Sequence, residues 1–213
     1  AALQQLADEL APGVVAPLPD LARPAVPTGA LDGASLAATV AALLPENAVI
    51  VDESNTAGAA VPEATAGAPA HDVLTLTGGA IGYGMPAAVG AAVAVPDRPV
   101  LSLQADGSAM YTISALWTQA RESLDITTIV LNNGAYQILR WELANVGVAE
   151  PHTRGRRVTD LLDLGNPDLD FVKIAEGMGV PARRVSTAEE LAAALREAFS
   201  EPGPHLIEAM LRA

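Results

Sequence analysis

The sequence predicts an α/β fold, a doubly wound and mostly parallel sheet with helices on both faces. Two observations carry this prediction. From residue 31 onward, short apolar runs of strand length alternate with longer segments of helical periodicity, and this alternation is typical of parallel α/β sheets. Half of the 213 residues are hydrophobic, which is enough for a full core.

Residues 1–30 are predicted to be the end of a preceding domain followed by a proline-rich connector. Residues 1–10 resemble the last turns of a helix, and the stretch from 11 to 27 then carries five prolines, at positions 12, 17, 19, 24 and 27. Proline at this density excludes a helix or a central strand. We therefore expect this chain to be the C-terminal part of a longer polypeptide, with residues 31–213 forming a separate domain.

The first half of this domain is predicted to contain, in order, a helix over 35–44, strands over 48–52 and 73–77, a helix over 85–95, a strand over 100–104 and a helix over 110–121. The helix over 35–44 places its large apolar residues on one face, namely Leu36, Val40, Leu43 and Leu44. The helix over 110–121 has a similar stripe, formed by Ile113, Leu116, Trp117 and Ala120. Because such a stripe normally faces the core, we expect Trp117 to be buried.

The second half is predicted to contain a strand over 126–131, a helix over 136–145, a loop or lid over 146–168, a helix over 171–178, a strand over 183–185, a helix over 188–199 and a strand over 206–210. The helix over 188–199 has clear start signals: Ser186 and Thr187 can cap it, and Glu189 and Glu190 lie in its first turn.

Charge and composition exclude several classes of function. Twelve basic and 25 acidic residues give a net charge of −13, which argues against nucleic acids and anionic membranes as partners. The chain contains no cysteine, so thiol catalysis and disulfides are excluded. The absence of cysteine and of any apolar run of membrane-spanning length favours a cytoplasmic protein. A phosphate bound to so acidic a chain would need a metal ion or helix N-termini to compensate its charge.

The most informative motif is Asp106-Gly107-Ser108, followed by the pair Asn132-Asn133, whose second residue lies 27 positions after Asp106. Both of these short sequences stand at the end of an apolar run of strand length, and either one alone is common in turns. Two adjacent parallel strands with a helix between them would bring both sequences to one edge of the sheet, where α/β proteins bind ligands. A carboxylate and an amide oxygen suit a magnesium ion that also holds a phosphate.

This joint pattern resembles the signature of thiamine diphosphate-dependent enzymes, Gly-Asp-Gly-Ser followed by Asn-Asn. Segments 78–86, 108–117, 132–141 and 171–180 are similar to benzoylformate decarboxylases and acetohydroxyacid (acetolactate) synthases, and the resemblance covers about residues 33–211. It implies the thiamine diphosphate-binding fold, with thiamine diphosphate and Mg²⁺ as cofactors. It also implies a role in a 2-oxo acid decarboxylase or carboligase.

The resemblance implies a role for each matching position. The Mg²⁺ ligands would be the side chains of Asp106 and Asn133 and the backbone of Ala135. Residues expected to bind the diphosphate or to line its site are Asn55, Thr56, Gly107, Ser108 and Tyr136. The Gly79 carbonyl would accept a hydrogen bond from the 4′-amino group of the aminopyrimidine, and Ile81 would be the bulky residue that keeps the cofactor bent. Tyr136, Gln137 and Trp141 could equally line the substrate site or simply pack.

Two departures from the family pattern limit this interpretation. Ala105 stands where the signature has glycine. The family's activating glutamate lies on a separate pyrimidine-binding domain, and Glu53 and Glu63 are on the wrong element to replace it. No catalytic residue is therefore predicted in this chain, and we expect a pyrimidine-binding domain of the same or a partner chain to complete the site in a homo-oligomer.

The sequence is compatible with more than one reaction. The sequence favours an acetolactate synthase-like parent acting on small 2-oxo acids, with a benzoylformate decarboxylase-like enzyme as the alternative. A non-catalytic regulatory or assembly subunit that keeps the fold is a third hypothesis. The glycine-rich segment is not interpreted as a dinucleotide-binding loop, because it contains no Gly-x-Gly-x-x-Gly motif. The isolated histidines (His71, His152 and His205) and the lid arginines (Arg154, Arg156 and Arg157) are expected to be ordinary surface residues.

Overall fold

A computed structural model describes residues 2–14, 20–147 and 160–211. Within these ranges, six strands form one sheet: β1 (Val49–Glu53), β2 (Asp72–Thr75), β3 (Val100–Ala105), β4 (Ile126–Asn132), β5 (Ala182–Val185) and β6 (His205–Met210). Their spatial order is β2-β1-β3-β4-β6-β5, and every neighbouring pair is parallel. The α/β fold class predicted from the sequence is confirmed.

The helices are α1 (Ala2–Leu10), α2 (Gly33–Leu43), α3 (Val61–Thr65), α4 (Gly84–Ala94), α5 (Asp106–Thr112), α6 (Ala115–Arg121), α7 (Gln137–Asn145), α8 (Phe171–Gly177) and α9 (Ala188–Ser200), with a short 3₁₀ turn at Thr77–Gly79. Most predicted elements lie within two residues of these bounds. The short helix α3 was not predicted. Part of the loop expected over 146–168, including His152 and the three lid arginines, lies outside the described residues.

The helix predicted over 110–121 is wrong in two respects. The helical segment begins at Asp106, directly after β3, and it is divided into α5 and α6 around Ile113 and Ser114. Trp117 is also 53% exposed, whereas Leu116 beside it is fully buried. Successive helical residues point about 100° apart, so burial of Leu116 turns Trp117 toward the surface. There the guanidinium of Arg121 stacks on the Trp117 ring, with its Cζ atom 5.2 Å from the ring centroid.

The side chains of each strand alternate between the two faces of the sheet. Both faces carry apolar side chains, and helices cover both. Ile50 of β1 packs in the larger core cluster, which includes α2 and α9. Its neighbours Val49 and Val51 face the opposite side and pack with Ala88 and Ala92 of α4. Helices α5, α6 and α8 contribute to a third cluster built around Met85 and Phe171.

Local signals explain where α2 and α9 begin. Asp32 accepts a hydrogen bond from the Ser35 backbone, and the Ser35 side chain accepts from the Asp32 backbone, so the two form a capping box. Thr187 and Glu190 form the same arrangement at α9. Thr187 is thus the N-cap residue, one of the two that the sequence offered, and Glu189 and Glu190 lie in the first turn as predicted. The helix α1, by contrast, has no buried residue, and the division at residue 30 stays a prediction.

The topology determines which loops can share a site. Since all six described strands run parallel, the loops that follow β1, β3 and β4 emerge at one edge of the sheet. The chain goes from β1 outward to β2 and then crosses back to β3 on the other side of β1, so the loops after β1 and β3 diverge and leave a crevice between them. No described helix combines the length and the apolar character needed to cross a membrane.

Two glycines of α4 provide a matched test of this packing. A Cβ at Gly84 would collide with the side chains of Gln104 and Glu53, whereas a Cβ at Gly90 has open space within 4 Å. We expect Gly84→Ala to lower the free energy of unfolding by about 1–3 kcal/mol through overpacking. Gly90→Ala should raise it by about 0.5–1 kcal/mol, because alanine loses less backbone entropy in a helix.

Denaturant unfolding of both variants measures these changes. Equal effects at the two positions would contradict the close approach of α4 to the ends of β1 and β3.

Candidate functional site

A cavity of about 260 Å³ lies at the carboxyl edge of the sheet, in the crevice between the diverging loops. Its wall contains residues that follow β1, β3 and β4 and residues of the glycine-rich segment before α4. The ten residues predicted to bind the cofactor or the metal all line this cavity: Asn55, Thr56, Gly79, Ile81, Asp106, Gly107, Ser108, Asn133, Ala135 and Tyr136. The structure thus brings them together, although their individual roles stay predictions.

Asp106 ties the ends of β3 and β4 together. Its Oδ2 atom accepts hydrogen bonds from the backbone N–H groups of Asn133 at 3.0 Å and Gly134 at 2.8 Å. Its Oδ1 atom accepts from the N–H of Gly107 at 2.8 Å. One carboxylate therefore holds the loop after β4 against the start of α5, and this contact spans 27 positions of the chain.

Asp106 is a buried acid, and the described residues give it no basic side chain as a partner. Its exposed fraction is 2%, and no ion pair to it occurs among the described residues. Burial raises the pKa of Asp106, while the amides of Gly107, Gly134, Asn133 and Ala135 lower it. Because burying a carboxylate without a counter-charge is unfavourable, this position is suited to a bound cation.

The other predicted metal ligands, Asn133 and Ala135, lie in the loop after β4 that Asp106 holds. The Oδ1 atom of Asn133 accepts from the N–H of Ala135 at 3.0 Å, which keeps this amide oxygen at the turn. The loop is held from outside by hydrogen bonds between Tyr136 N and the Leu162 carbonyl and between Leu164 N and the Gly134 carbonyl.

This donor set consists of one carboxylate, one amide oxygen and one backbone carbonyl, and such hard oxygen ligands suit Mg²⁺, which also retains water and phosphate ligands. Within the described ranges, no cluster of three or more His, Cys, Asp or Glu side chains could hold a metal. His71 and His205 instead hydrogen-bond to the backbone carbonyls of Pro69 and Glu201.

The loops after β1 and β3 meet through Asn55 and Ser108. The Nδ2 group of Asn55 donates to the Ser108 hydroxyl at 2.8 Å and to the Glu53 carbonyl at 3.3 Å. Ser108 does not cap a helix, because α5 begins two residues earlier and its N-cap residue, Ala105, makes no side-chain cap. Ser108 therefore directs its hydroxyl toward the loop after β1, and two residues predicted to contact the diphosphate contact each other.

Gly107 is required by the close approach of Tyr136. A Cβ at position 107 would lie 2.5 Å from the Cε1 atom of the Tyr136 ring. The tyrosine ring can pack over the start of α5 only because glycine has no side chain, and this packing forms one wall of the cavity. Gln137 and Trp141 line a neighbouring cavity of about 270 Å³ together with Thr56 and Asn133.

Glu53 lies beneath the glycine-rich segment, and the sequence predicted no role for it. Its side chain is 1% exposed. Its Oε1 atom accepts from the N–H of Gly82 at 2.5 Å, and its Oε2 atom accepts from the N–H of Gly84. Burial raises the pKa of Glu53, while the two glycine amides lower it. One sequence signal could have indicated this role. Glu53 lies on the same face of β1 as the apolar residues Val49 and Val51, which pack against α4, and an acidic residue is unexpected there.

A second buried glutamate supports the loop after β4 and was also missed. Glu208 of β6 is fully buried and accepts from the Nδ2 group of Asn132 at 2.7 Å and from the Nε group of Arg184 at 2.8 Å. The side-chain oxygen of Asn132, Oδ1, accepts from the N–H of Gly134 at 3.0 Å. The first asparagine of the pair is thus held by β6, while the second faces the cavity.

Comparisons with known proteins identify the family of this chain. Residues 56–209 match the family described as "Thiamine pyrophosphate enzyme, C-terminal TPP binding domain". The chain is 67% identical to "Putative acetolactate synthase large subunit IlvX" of Mycobacterium tuberculosis, over 99% of this chain and 40% of that protein. It is 37% identical to the benzoylformate decarboxylase of Pseudomonas aeruginosa, over 97% of this chain and 38% of that protein.

A solved structure shows the same similarity. The thiamine diphosphate-dependent 4-hydroxybenzoylformate decarboxylase of Rhodococcus jostii RHA1 superposes with a TM-score of 0.77 at 34% identity, over 99% of this chain and 38% of that one. The chain therefore spans about two fifths of the length of the curated relatives described above.

The raised pKa of Glu53 predicts the sign of a stability change with pH. The folded chain holds the Glu53 proton more tightly than the unfolded chain, so this group's contribution to the free energy of unfolding falls as pH rises. The fall should begin near the ordinary glutamate pKa, about 4.3, and continue through the raised pKa of the folded state. Glu53→Gln cannot ionise, so the stability advantage of the wild type over this variant should shrink across that interval.

Denaturant unfolding at a series of pH values measures this difference, and Glu63→Gln, at an exposed glutamate of α3, is the control. An advantage that grows with pH would contradict the assignment of Glu53 as a desolvated acid.

Proposed function

The chain belongs to the thiamine pyrophosphate enzymes and carries their C-terminal TPP-binding domain, and we propose that it binds Mg²⁺ and the diphosphate of thiamine diphosphate at the carboxyl ends of β1, β3 and β4. The observation that carries this proposal is the buried Asp106 carboxylate, which has backbone donors but no cationic partner among the described residues. A divalent cation would compensate this charge and at the same time attract a diphosphate.

Each residue of the cavity has a distinct part in the proposal. Asp106 and Asn133 would bind the metal with side-chain oxygens, and Ala135 would do so with its carbonyl. Gly107 and Ser108 would contact the diphosphate from the side of β3, and Asn55 and Thr56 from the side of β1. The hydrogen bond from Asn55 to Ser108 supports this division, because it holds the two sides of the cavity at a defined separation before any ligand binds.

The glycine-rich segment would meet the aminopyrimidine. In this proposal the Gly79 carbonyl accepts a hydrogen bond from the 4′-amino group, and the side chain of Ile81, which is 37% exposed, supports the bend of the cofactor. When bound, thiamine diphosphate supplies the electron sink that decarboxylation of a 2-oxo acid requires. The residues of this chain hold and orient the cofactor for that chemistry.

The acid that activates the aminopyrimidine would come from elsewhere. Glu53 lies beneath the glycine-rich segment, but both of its oxygens already accept hydrogen bonds from Gly82 and Gly84. We therefore propose that a pyrimidine-binding domain, on the same or a partner chain, completes the site in a cytoplasmic homo-oligomer. The greater length of the relatives supports this part of the proposal.

For the reaction, we propose an acetolactate synthase-like carboligation of small 2-oxo acids, supported by the relative at 67% identity. A benzoylformate decarboxylase-like reaction is the alternative, and the similarity to the Rhodococcus decarboxylase favours it. An assay of the assembled enzyme with an aliphatic and an aromatic 2-oxo acid separates the two, because carboligation yields an acetohydroxy acid and simple decarboxylation releases an aldehyde. No turnover of either acid would instead favour a non-catalytic subunit.

Asp106→Ala tests the binding site directly. We expect the wild-type chain to bind thiamine diphosphate only with Mg²⁺, with a dissociation constant no tighter than about 0.1 mM, because the pyrimidine ring stays half exposed. The substitution should remove the Mg²⁺-dependent part of this binding, measured by titration calorimetry. The control is Asp97→Ala, which makes the same change of charge at an exposed position on the opposite edge of the sheet.

Loss of binding in both variants would indicate a general effect of charge. Unchanged Mg²⁺-dependent binding by Asp106→Ala would exclude the site.

A further inference from the structure

We propose that Glu53 is a positioning residue, which fixes the backbone of the glycine-rich segment 78–84 in the position that binding of the pyrimidine end of the cofactor requires. The inference rests on the proposed function and deepens it. It assigns to Glu53 no contact with the cofactor and no proton transfer. Its role is to fix the backbone that carries Gly79 and Ile81.

The position of Glu53 in the sheet makes this role possible. It is the last residue of β1, opposite Gln104 of β3 in the parallel register. The alternation of the strand directs its side chain toward α4, in the same row as Val49 and Val51. Ser54 and Asn55 follow immediately and turn into the cavity, so Glu53 joins the diphosphate side of the site to the segment above α4.

The carboxylate and a threonine together hold Gly82 by both of its backbone groups. The N–H of Gly82 donates to the Oε1 atom of Glu53 at 2.5 Å, and its carbonyl accepts from the hydroxyl of Thr112 in α5 at 3.1 Å. The second oxygen of Glu53 accepts from the N–H of Gly84, the first residue of α4. Ile81 directly precedes this fixed point, and Gly79 lies three residues before it.

The chemistry of the side chain indicates why a carboxylate is present. Glu53 is 1% exposed, and the described residues supply no basic side chain in an ion pair with it, so its ionised form is costly to bury. A carboxylate can accept at both oxygens, whereas the amide of glutamine has one accepting oxygen and directs its NH₂ group toward the second N–H donor. If fold stability were the only requirement, an apolar residue would be favoured at this buried position. An apolar residue, however, cannot accept the two hydrogen bonds from the N–H groups of Gly82 and Gly84.

The consequence is a separation of the two ends of the cofactor site. The diphosphate end depends on Asp106 and on the contact between Asn55 and Ser108. The pyrimidine end depends on the segment that Glu53 holds. A change at Glu53 should therefore weaken binding of the whole cofactor more than binding of its diphosphate part, whereas a general loss of structure would weaken both equally.

The test compares two ligands, inorganic pyrophosphate and thiamine diphosphate, each titrated with Mg²⁺ into the wild-type chain and into Glu53→Gln. The variant should lower the affinity for thiamine diphosphate about tenfold, the effect expected of one lost charge-assisted hydrogen bond. Its affinity for pyrophosphate should stay within about twofold of the wild type. In parallel, the amide resonances of Gly82 and Gly84 should move in the NMR spectrum of the variant.

Two further variants keep the test decisive. Glu53→Asp retains the charge but shortens the side chain by one methylene, so it should reproduce the selective loss and replaces Glu53→Gln if that variant does not fold. Asp125→Asn is the matched control. Asp125 is another partly buried acid whose pKa is raised by burial, and it precedes β4 at the opposite edge of the sheet, so both affinities should be unchanged.

The inference is overturned if the Glu53 variants bind thiamine diphosphate as the wild type does, or if they lose affinity for both ligands equally. Equal affinity of the wild-type chain for the two ligands would also overturn it, because the glycine-rich segment would then contribute no binding. Failure of the proposed function gives a different result: the wild-type chain would bind neither ligand with Mg²⁺.

Discussion

The site depends first on the hydrogen bonds that the Asp106 carboxylate accepts from the loop after β4. They join the ends of two neighbouring strands, and they bring the side chain of Asn133 to the same cavity as Asp106. The same carboxylate is buried and has no basic partner among the described residues. Its burial is thus tolerated through backbone amides, and a cation would complete the compensation.

Buried glutamates support this arrangement from two sides. Glu53 holds the glycine-rich segment above α4, and Glu208 holds Asn132 at the base of the loop after β4. Both lie in strands, where the backbone is already fixed by the parallel ladder, and both accept hydrogen bonds from residues in or next to the loops that line the cavity. The cavity is therefore a set of loops anchored to the rigid sheet by carboxylates, an arrangement that orients ligand-binding groups before a ligand is present.

Much of the fold could be predicted because its signals are local. Apolar runs and helical periodicity located nearly all the described strands and helices, and Thr187 with Glu190 marked the start of α9. Trp117 was misplaced because an apolar stripe does not specify which edge of it faces the core. The start of α5 was missed because the helix begins at Asp106, inside a motif that is by itself a common turn.

The sequence by itself determined which residues are candidates for the site, because hard oxygen ligands and small residues follow apolar strands and resemble a known family. Only the tertiary structure decided how these residues are supported. The contacts of Glu53 with Gly82, and of Asn55 with Ser108, join positions that are distant along the chain. They arise from strand order and side-chain direction, which local sequence patterns do not contain.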